Sequence, residues 1–127
     1  NNYVSHNEII HLGNEKIKCF HTPGHYYDSV CFWSFENNII FTGDTMFVGR
    51  TGRTIHEGSN IKELYHSIYD ILLNLPQETM ILSGHDYGEI KCDTIGNNIK
   101  KSDFFSCKNF EQFLVVMEKY EKSRKKQ

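Results

Sequence analysis

Three polar side chains of the types that bind metal ions each come directly after a glycine. His25 ends the segment HTPGH (21–25), Asp44 follows a run of apolar residues and Thr-Gly, and His85 follows Ser-Gly. Imidazole and carboxylate groups are ligands for zinc, iron and manganese, and an aspartate can bridge two ions. The residue types therefore indicate a metal site. The alternative is that these are ordinary loop residues, since an exposed histidine and a turn-capping aspartate are common.

The elements that precede these residues are predicted to be strands. Each is a short run rich in β-branched and aromatic residues that stops at a turn signal. Strand ends in layered α/β folds converge on one edge of the sheet, so the three side chains are expected to meet there. A preceding glycine lets the backbone bend sharply at each position. The predicted strands are EKIKCF (15–20), SVCFWSF (29–35), NIIFTG (38–43) and TMILSGH (79–85), with a hairpin over 36–38.

Helices are predicted between and after these strands. An apolar stripe from Ile61 to Leu75 recurs at helical spacing, Asn60 and Glu63 form a capping box, and Pro76 ends the helix. Another helix is predicted near 93–101. A last helix is predicted from about 107, with Ser106 as its cap and with Phe110, Phe113, Leu114 and Met117 facing inward. This order predicts an α/β domain, layered in the α/β or α+β manner.

Composition limits the classes of partner. The 127 residues carry a net charge of −2, with 39% hydrophobic and 24% charged residues. These values predict a globular, soluble domain and give no reason to expect nucleic acid. No apolar run approaches the ~20 residues that span a membrane. Because the four cysteines lie far apart without a CxxC pair, a reducing intracellular compartment is favoured, either cytoplasmic or organellar.

The ordered motifs resemble a known family. HTPGH, FTGDTMF (41–47) and SGHDYG (83–88) occur in the order seen in the metallo-β-lactamase fold, and the most similar branch is glyoxalase II (hydroxyacylglutathione hydrolase) with its relatives, the persulfide dioxygenases. The similarity extends through NEIIHLGNEKIKCF, GRT (52–54), CDTIGNNIKK and SCKNFEQFLVVM. The resemblance implies half of an αββα sandwich, with a mixed sheet and helices on one face.

The same resemblance implies roles for individual residues. His25 would complete the ligands of one metal, Asp44 would bridge two metals and serve catalysis, and His85 would bind the second metal. In a dioxygenase, Asp44 would instead bind a single iron. Arg53 and Tyr87 would contact the substrate, Arg53 through a bidentate contact with a carboxylate. The alternatives are an exposed loop arginine and a packed tyrosine. The implied cofactor is zinc, as one or two ions, or iron.

One family motif is absent from the chain. HxHxDH supplies further metal ligands in relatives, but only 24 residues precede His25 here. We therefore expect residues 1–127 to be a single domain that forms the C-terminal half of a metallo-β-lactamase-like domain, inactive alone and able to self-associate as a dimer through its uncovered sheet face.

Three functions follow from this interpretation. The first is a metal-dependent thioester hydrolase acting on glutathione thioesters in the full-length protein. It is favoured because SGHDYG retains His85 and because Ile55 replaces the aspartate of GRTD-type relatives. The second is a mononuclear iron dioxygenase acting on a persulfide, which the short segment after His85 favours. The third is a non-catalytic half-domain that acts as a scaffold.

The remaining histidines are weaker candidates for the site. We expect His6 and His11 at the surface, His21 hydrogen-bonded or packed in its strand, and His66 on the polar side of its helix. His56 follows GRT and could approach the mouth of the pocket, although nothing in the sequence demands it.

Overall fold

The structure is a computed structural model that describes residues 5–84 and 92–125. One six-stranded sheet has its strands in the order of the sequence. All neighbouring strands are antiparallel except β4 and β5, which are parallel. The strands are β1 (Ile9–Leu12), β2 (Glu15–His21), β3 (Val30–Ser34), β4 (Ile39–Gly43), β5 (Met80–Ser83) and β6 (Asp93–Thr94).

The helices follow β4 and β6. The first, α1 (Ile61–His66), continues into a π-helical turn (Ser67–Ile71) and a 3₁₀ turn (Leu72–Asn74). After β6 come α2 (Ile95–Lys101), a 3₁₀ turn (Asp103–Phe105) and the long α3 (Phe110–Lys125). No helix in the described part of the chain is long and apolar enough to cross a membrane.

Most predicted boundaries are confirmed, and the start of the last helix is wrong. The Asn60 side chain accepts a hydrogen bond from the Glu63 backbone N–H at 2.9 Å, as the capping box requires. The last helix, however, begins at Phe110 rather than near 107. Asn109 caps it by accepting from the Gln112 N–H at 2.9 Å, whereas the Ser106 hydroxyl donates back to the Ser102 carbonyl. Two strands, β1 and β6, were not predicted.

Strand direction brings several carboxyl ends to one edge of the sheet. Because β2 and β4 are each antiparallel to β3, they run the same way, and β5 runs parallel to β4. Gly43 and Ser83 are paired at the ends of β4 and β5. The segments that follow β2, β4 and β5 therefore start at the same edge.

The two faces of the sheet have different surroundings. On one side, here called the helix face, Trp33, Ile40 and Ile81 lie in one row, and Ile40 and Ile81 are fully buried in the core formed with the helices. The core residues contributed by the helical segments include Leu64, Ile68, Leu72, Ile95, Phe113 and Met117. This arrangement confirms the predicted mixed sheet with helices on one face.

The opposite side, here called the open face, carries the next row of paired residues. Phe32, Phe41 and Leu82 are neighbours across β3, β4 and β5. Phe41 is 42% exposed, and within the described residues none of the three belongs to the core that packs under the helices. The sheet is therefore apolar on both faces but covered by helices on one.

Candidate metal centre

His25 is positioned by the turn that follows β2. Gly24 in that turn has a φ of 144°, and a Cβ there would collide with the backbone of Leu64 in α1. The Gly24 carbonyl accepts from the Asn60 N–H at 2.7 Å, and the Pro23 carbonyl accepts from the Ser67 hydroxyl at 2.7 Å. The turn therefore lies against the start of the helical segment and holds the following imidazole in place.

Asp44 directly follows β4 and faces this imidazole. The His25 Nε2 atom lies 3.7 Å from the Asp44 Oδ2 atom, and the two side chains are 20% and 36% exposed. The structure thus brings together two of the three residues that the sequence singled out as metal ligands.

The other ring nitrogen of His25 is held by the backbone. His25 Nδ1 lies 2.7 Å from the Arg53 carbonyl oxygen. A carbonyl can only accept, so Nδ1 carries the proton and the lone pair resides on Nε2, the atom nearest Asp44. Metal-binding histidines are oriented in this way, by donating their second N–H to a carbonyl or carboxylate.

Two glycines let the backbone close around the pair. A Cβ on Gly52 would overlap the Asp44 carbonyl oxygen and lie 2.9 Å from His25 Nδ1. A Cβ on Gly84 would lie 2.8 Å from Asp44 Oδ1. A side chain at either position would therefore press on the pair, most severely at Gly52, where the Cβ meets main chain.

The pair opens into a cleft of about 240 Å³ that is rich in basic groups. His56 lies beside His25, with the two rings edge-to-face and their centroids 5.6 Å apart. His56 therefore does lie at the cleft. The residues that line the cleft are His25, Asp44, Phe47, Arg50, Gly52, Arg53, His56 and Arg124.

Arg53 lines this cleft but has an internal carboxylate partner. Its Nε donates to Glu121 Oε1 at 3.0 Å and its Nη2 donates to Glu121 Oε2 at 2.7 Å, a bidentate contact with α3. The hydrogen bond to Glu121 raises the pKa of Arg53 above its ordinary value. The bidentate geometry expected for a substrate carboxylate is therefore already made with a residue of the same chain.

Glu121 and Arg124 were not identified as site residues from the sequence. Both lie on α3, far from His25 and Asp44 in the chain, so no local motif connects them to the cleft. A usable signal exists in their spacing, because positions 117, 120, 121 and 124 share one face of a helix. That face carries residues of both polar and apolar type and contacts the segment between β4 and α1.

His85 and Tyr87 lie outside the described residues. Gly84, the last described residue before them, lies beside the Asp44 carboxylate. Within residues 5–84 and 92–125, no three histidine, cysteine, aspartate or glutamate side chains come together as a metal-ligand set. The described part of the site therefore provides an imidazole and a carboxylate.

The remaining histidines lie away from this pair or at its margin. His6, His11, His21 and His66 are exposed. His21 Nε2 lies within 3.1 Å of the Tyr27 carbonyl oxygen, and His66 Nδ1 lies 2.9 Å from Asp70 Oδ2. Their positions agree with the expectation that they are surface or hydrogen-bonded residues.

The donor set fits a divalent metal on three observations. One imidazole has its tautomer fixed by a carbonyl, a carboxylate lies 3.7 Å from the other ring nitrogen, and Gly52 and Gly84 bring the backbone close to both side chains. Neutral imidazole nitrogen and carboxylate oxygen are the forms in which these side chains bind metal.

Comparison with known proteins finds relatives of this chain. Residues 5–85 match the family model described as the metallo-beta-lactamase superfamily. A probable hydroxyacylglutathione hydrolase of Schizosaccharomyces pombe is 39% identical over 92 residues, which cover 68% of this chain and 35% of that protein.

Solved structures share the fold. The crystal structure of ETHE1 from Myxococcus xanthus matches with a TM-score of 0.83 and 31% identity, covering 91% of this chain and 50% of that one. TTHA1623, solved in a di-iron-bound form, matches with a TM-score of 0.64 and 30% identity over 77% of this chain and 44% of that one. The chain thus spans about a third of the curated relatives and about half of these solved chains.

Proposed function

The chain belongs to the metallo-beta-lactamase superfamily, and we propose that it supplies one half of the metal site of a glyoxalase II-like thioester hydrolase. In this proposal residues 1–127 form the C-terminal half of the catalytic domain, and the full-length protein hydrolyses a glutathione thioester. Support comes from the family match over residues 5–85 and from a relative named hydroxyacylglutathione hydrolase.

The proposal assigns His25, Asp44 and His85 as the metal ligands that this chain contributes. When bound, zinc or iron supplies a coordinated water of lowered pKa and polarises a substrate carbonyl. Asp44 would hold its carboxylate at the centre of the site, and the Arg53 carbonyl would keep the His25 Nε2 lone pair aimed inward. Arg53 and Tyr87 are proposed to contact the substrate.

A single observation carries the assignment of the metal site. The His25 Nδ1 atom is anchored to a carbonyl at 2.7 Å while Nε2 lies 3.7 Å from an aspartate. An imidazole anchored at Nδ1, with its second nitrogen beside a carboxylate at a cleft, is the arrangement that metal-binding histidines adopt.

The experiment uses the full-length protein and a matched His–Asp control. Expression without added metal is followed by metal analysis and by assay with S-lactoylglutathione. His25→Ala and Asp44→Ala are expected to lose bound metal and thioesterase activity. His66→Ala and Asp70→Ala remove an exposed His–Asp pair on the helical segment, at 2.9 Å, and are expected to change neither. Equal metal content in all five proteins would refute the assignment.

An iron-dependent persulfide dioxygenase is the second candidate. One imidazole and one carboxylate are two of the three ligands in the facial arrangement of two histidines and one carboxylate that non-haem iron oxygenases use. The described pair fits this set as well as it fits a binuclear one. Oxygen uptake with glutathione persulfide and about one iron per chain would favour it over the hydrolase.

The open face supports a proposal about the chain alone. Phe32, Phe41 and Leu82 form a continuous apolar row, and exposed apolar patches of several hundred Å² mark interaction sites. We propose that the isolated chain dimerises by packing two open faces together. A non-catalytic half-domain acting as a scaffold would use the same face to bind a partner. Light scattering after size-exclusion chromatography tests this, and a monomer at high concentration would contradict it.

The proposed compartment is a reducing one. Cys19, Cys31, Cys92 and Cys107 are all free thiols. Disulfides persist mainly in oxidising compartments, so four free cysteines in a domain of this size fit a cytoplasmic or organellar location.

A further inference from the structure

One face of α3 is fastened to the site loop, defined here as residues 45–59 between Asp44 and α1. The Thr51 hydroxyl lies 3.3 Å from the Met117 sulfur. The Arg50 guanidinium lies over the Tyr120 ring, 5.3 Å from its centroid. The next residue, Glu121, binds Arg53 through both carboxylate oxygens. Three successive contacts thus hold the loop against the helix.

Arg53 connects this helix to the metal ligand. Its side chain binds Glu121, and its carbonyl oxygen lies 2.7 Å from His25 Nδ1. Arg53 therefore contacts α3 through its side chain and the His25 imidazole through its backbone carbonyl. A displacement of Arg53 would be transmitted to His25 through a single hydrogen bond.

The ion pair is positioned to resist such a displacement. The Arg53 and Glu121 side chains are 27% and 17% exposed, so both are partly shielded from solvent. Removing the carboxylate would leave a partly desolvated guanidinium without its bidentate partner, which favours a shift of the loop toward water. Adjacent Gly52 is in close contact with the Asp44 carbonyl, so the loop has little room to shift without disturbing both proposed ligands.

We propose that Glu121 is a positioning residue for the metal site, holding the His25 imidazole in its binding orientation through Arg53. The inference rests on the proposed metal site and adds to it a residue of the last helix. Arg53 then has two separate functions. The carbonyl orients a ligand, whereas the guanidinium binds Glu121 through its Nε and Nη2 atoms.

The first test measures metal affinity of the full-length protein by competition with a chromogenic chelator. Loss of an outer-shell partner of a metal-binding histidine typically weakens metal binding ~10- to 100-fold. Glu121→Gln is expected to weaken binding about tenfold. Glu118→Gln, an exposed glutamate on the same helix, is the matched control and is expected to bind like the wild type. Wild-type affinity in Glu121→Gln would overturn the inference.

A second readout follows the imidazole itself. In ¹⁵N NMR spectra of the metal-free protein, His25 is expected to show the tautomer protonated at Nδ1 in the wild type and in Glu118→Gln. Glu121→Gln is expected to show a mixture of tautomers. An unchanged His25 spectrum in a folded Glu121→Gln variant would contradict the transmission through Arg53, whatever happens to activity.

Exchanging the charges of residues 53 and 121 separates the effect of their ion pair on the metal site from any effect on substrate binding. Arg53→Glu alone is expected to weaken metal binding, and Arg53→Glu with Glu121→Arg is expected to restore it, because residue 53 keeps its carbonyl in either variant. If Arg53 also contacts substrate, the KM for the thioester stays raised in the double variant. If the double variant did not recover metal affinity, the positioning role of the Arg53–Glu121 ion pair would be overturned. If the wild-type protein bound no metal, the proposed function would be refuted instead.

Discussion

Ile40 and Phe41 are neighbours in β4, yet Ile40 is fully buried whereas Phe41 is 42% exposed. Ile40 points to the helix face and is paired with Trp33 and Ile81, while Phe41 points to the open face and is paired with Phe32 and Leu82. The residue types on the two faces are similarly apolar. Only the presence of helices differs.

This difference indicates what the sheet is built to do. Strands that are apolar on both faces are typical of sheets covered on both sides. The helix face contributes most of the buried core of the described structure, and the open face is the surface that the proposed dimer would bury. The proposed metal site lies at the sheet edge, where the backbone at Gly52 and Gly84 passes close to Asp44.

The largest expected effect contrasts the two neighbours in β4. Ile40→Ala creates a cavity in a fully packed core and is expected to lower the free energy of unfolding of the isolated chain by ~2–5 kcal/mol. Phe41→Ala is expected to cost less than about 1 kcal/mol in the monomer, as surface substitutions usually do. Urea unfolding at dilute protein concentration measures both, and equal costs would show that the open face is covered.

The second prediction contrasts the two glycines at the site. A Cβ at Gly52 meets main chain that cannot rotate away, so Gly52→Ala is expected to destabilise the protein by about 3 kcal/mol, as overpacking does. A Cβ at Gly84 meets Oδ1 of Asp44 at 2.8 Å, the end of a side chain that can rotate, and the Gly43 carbonyl at 3.3 Å, where a small shift relieves the contact. Gly84→Ala is therefore expected to reduce metal affinity at a smaller cost in stability than Gly52→Ala. A loss of stability as large as that of Gly52→Ala would contradict this expectation.

The third prediction uses a cysteine of the helix face. Burial raises the pKa of the Cys31 thiol from 9.0 to about 11. The unfolded chain therefore loses this proton at lower pH than the folded chain does. Stability is expected to be complete below pH ~9 and to fall by on the order of 2 kcal/mol as the pH rises to ~11.

Variants isolate this contribution from other groups that titrate at high pH. Cys31→Ala is expected to lose that part of the pH dependence, and Cys92→Ala, an exposed cysteine, to retain it. Urea unfolding at a series of pH values makes the comparison. The same slope in wild type and Cys31→Ala would mean that solvent reaches the helix-face core.

The smallest expected effect concerns self-association. Phe41→Ser removes an aromatic side chain from the centre of the open face and is expected to weaken the proposed dimer of the isolated chain about tenfold, or ~1.4 kcal/mol. Phe35→Ser lies beyond β3 and serves as the control. Sedimentation equilibrium gives the dissociation constants. No change in Phe41→Ser, with a dimer still present, would place the interface elsewhere.

Much of the fold could be predicted from local patterns. The capping pair Asn60 and Glu63, the strand ends before Asp44 and the apolar stripe after Ile61 act within a few residues, so the sequence displays them. The misplaced start of α3 has a similar origin, because Ser106 and Asn109 are both good caps and only the packing of the segment chooses between them. Strands β1 and β6 were missed because the first is largely exposed and the second has two residues.

The candidate site likewise has a part that the sequence predicts and a part that it does not. The proximity of His25 and Asp44 follows from strand order and direction, which the motifs suggested. The pairing of Arg53 with Glu121 depends on how α3 lies across the site loop, and a separation of 68 residues leaves no local trace. Helical spacing of the α3 residues marks a shared face but not its partner.

The metal content of the full-length wild-type protein, measured beside that of Asp44→Ala, decides whether this sheet edge binds metal. We expect one to two zinc or iron ions per chain in the wild type, the range spanned by mononuclear and binuclear sites, and little or none in Asp44→Ala. Wild-type protein that stays free of metal after reconstitution, or an Asp44→Ala variant that keeps its full complement, would contradict the assignment of this sheet edge as a metal centre.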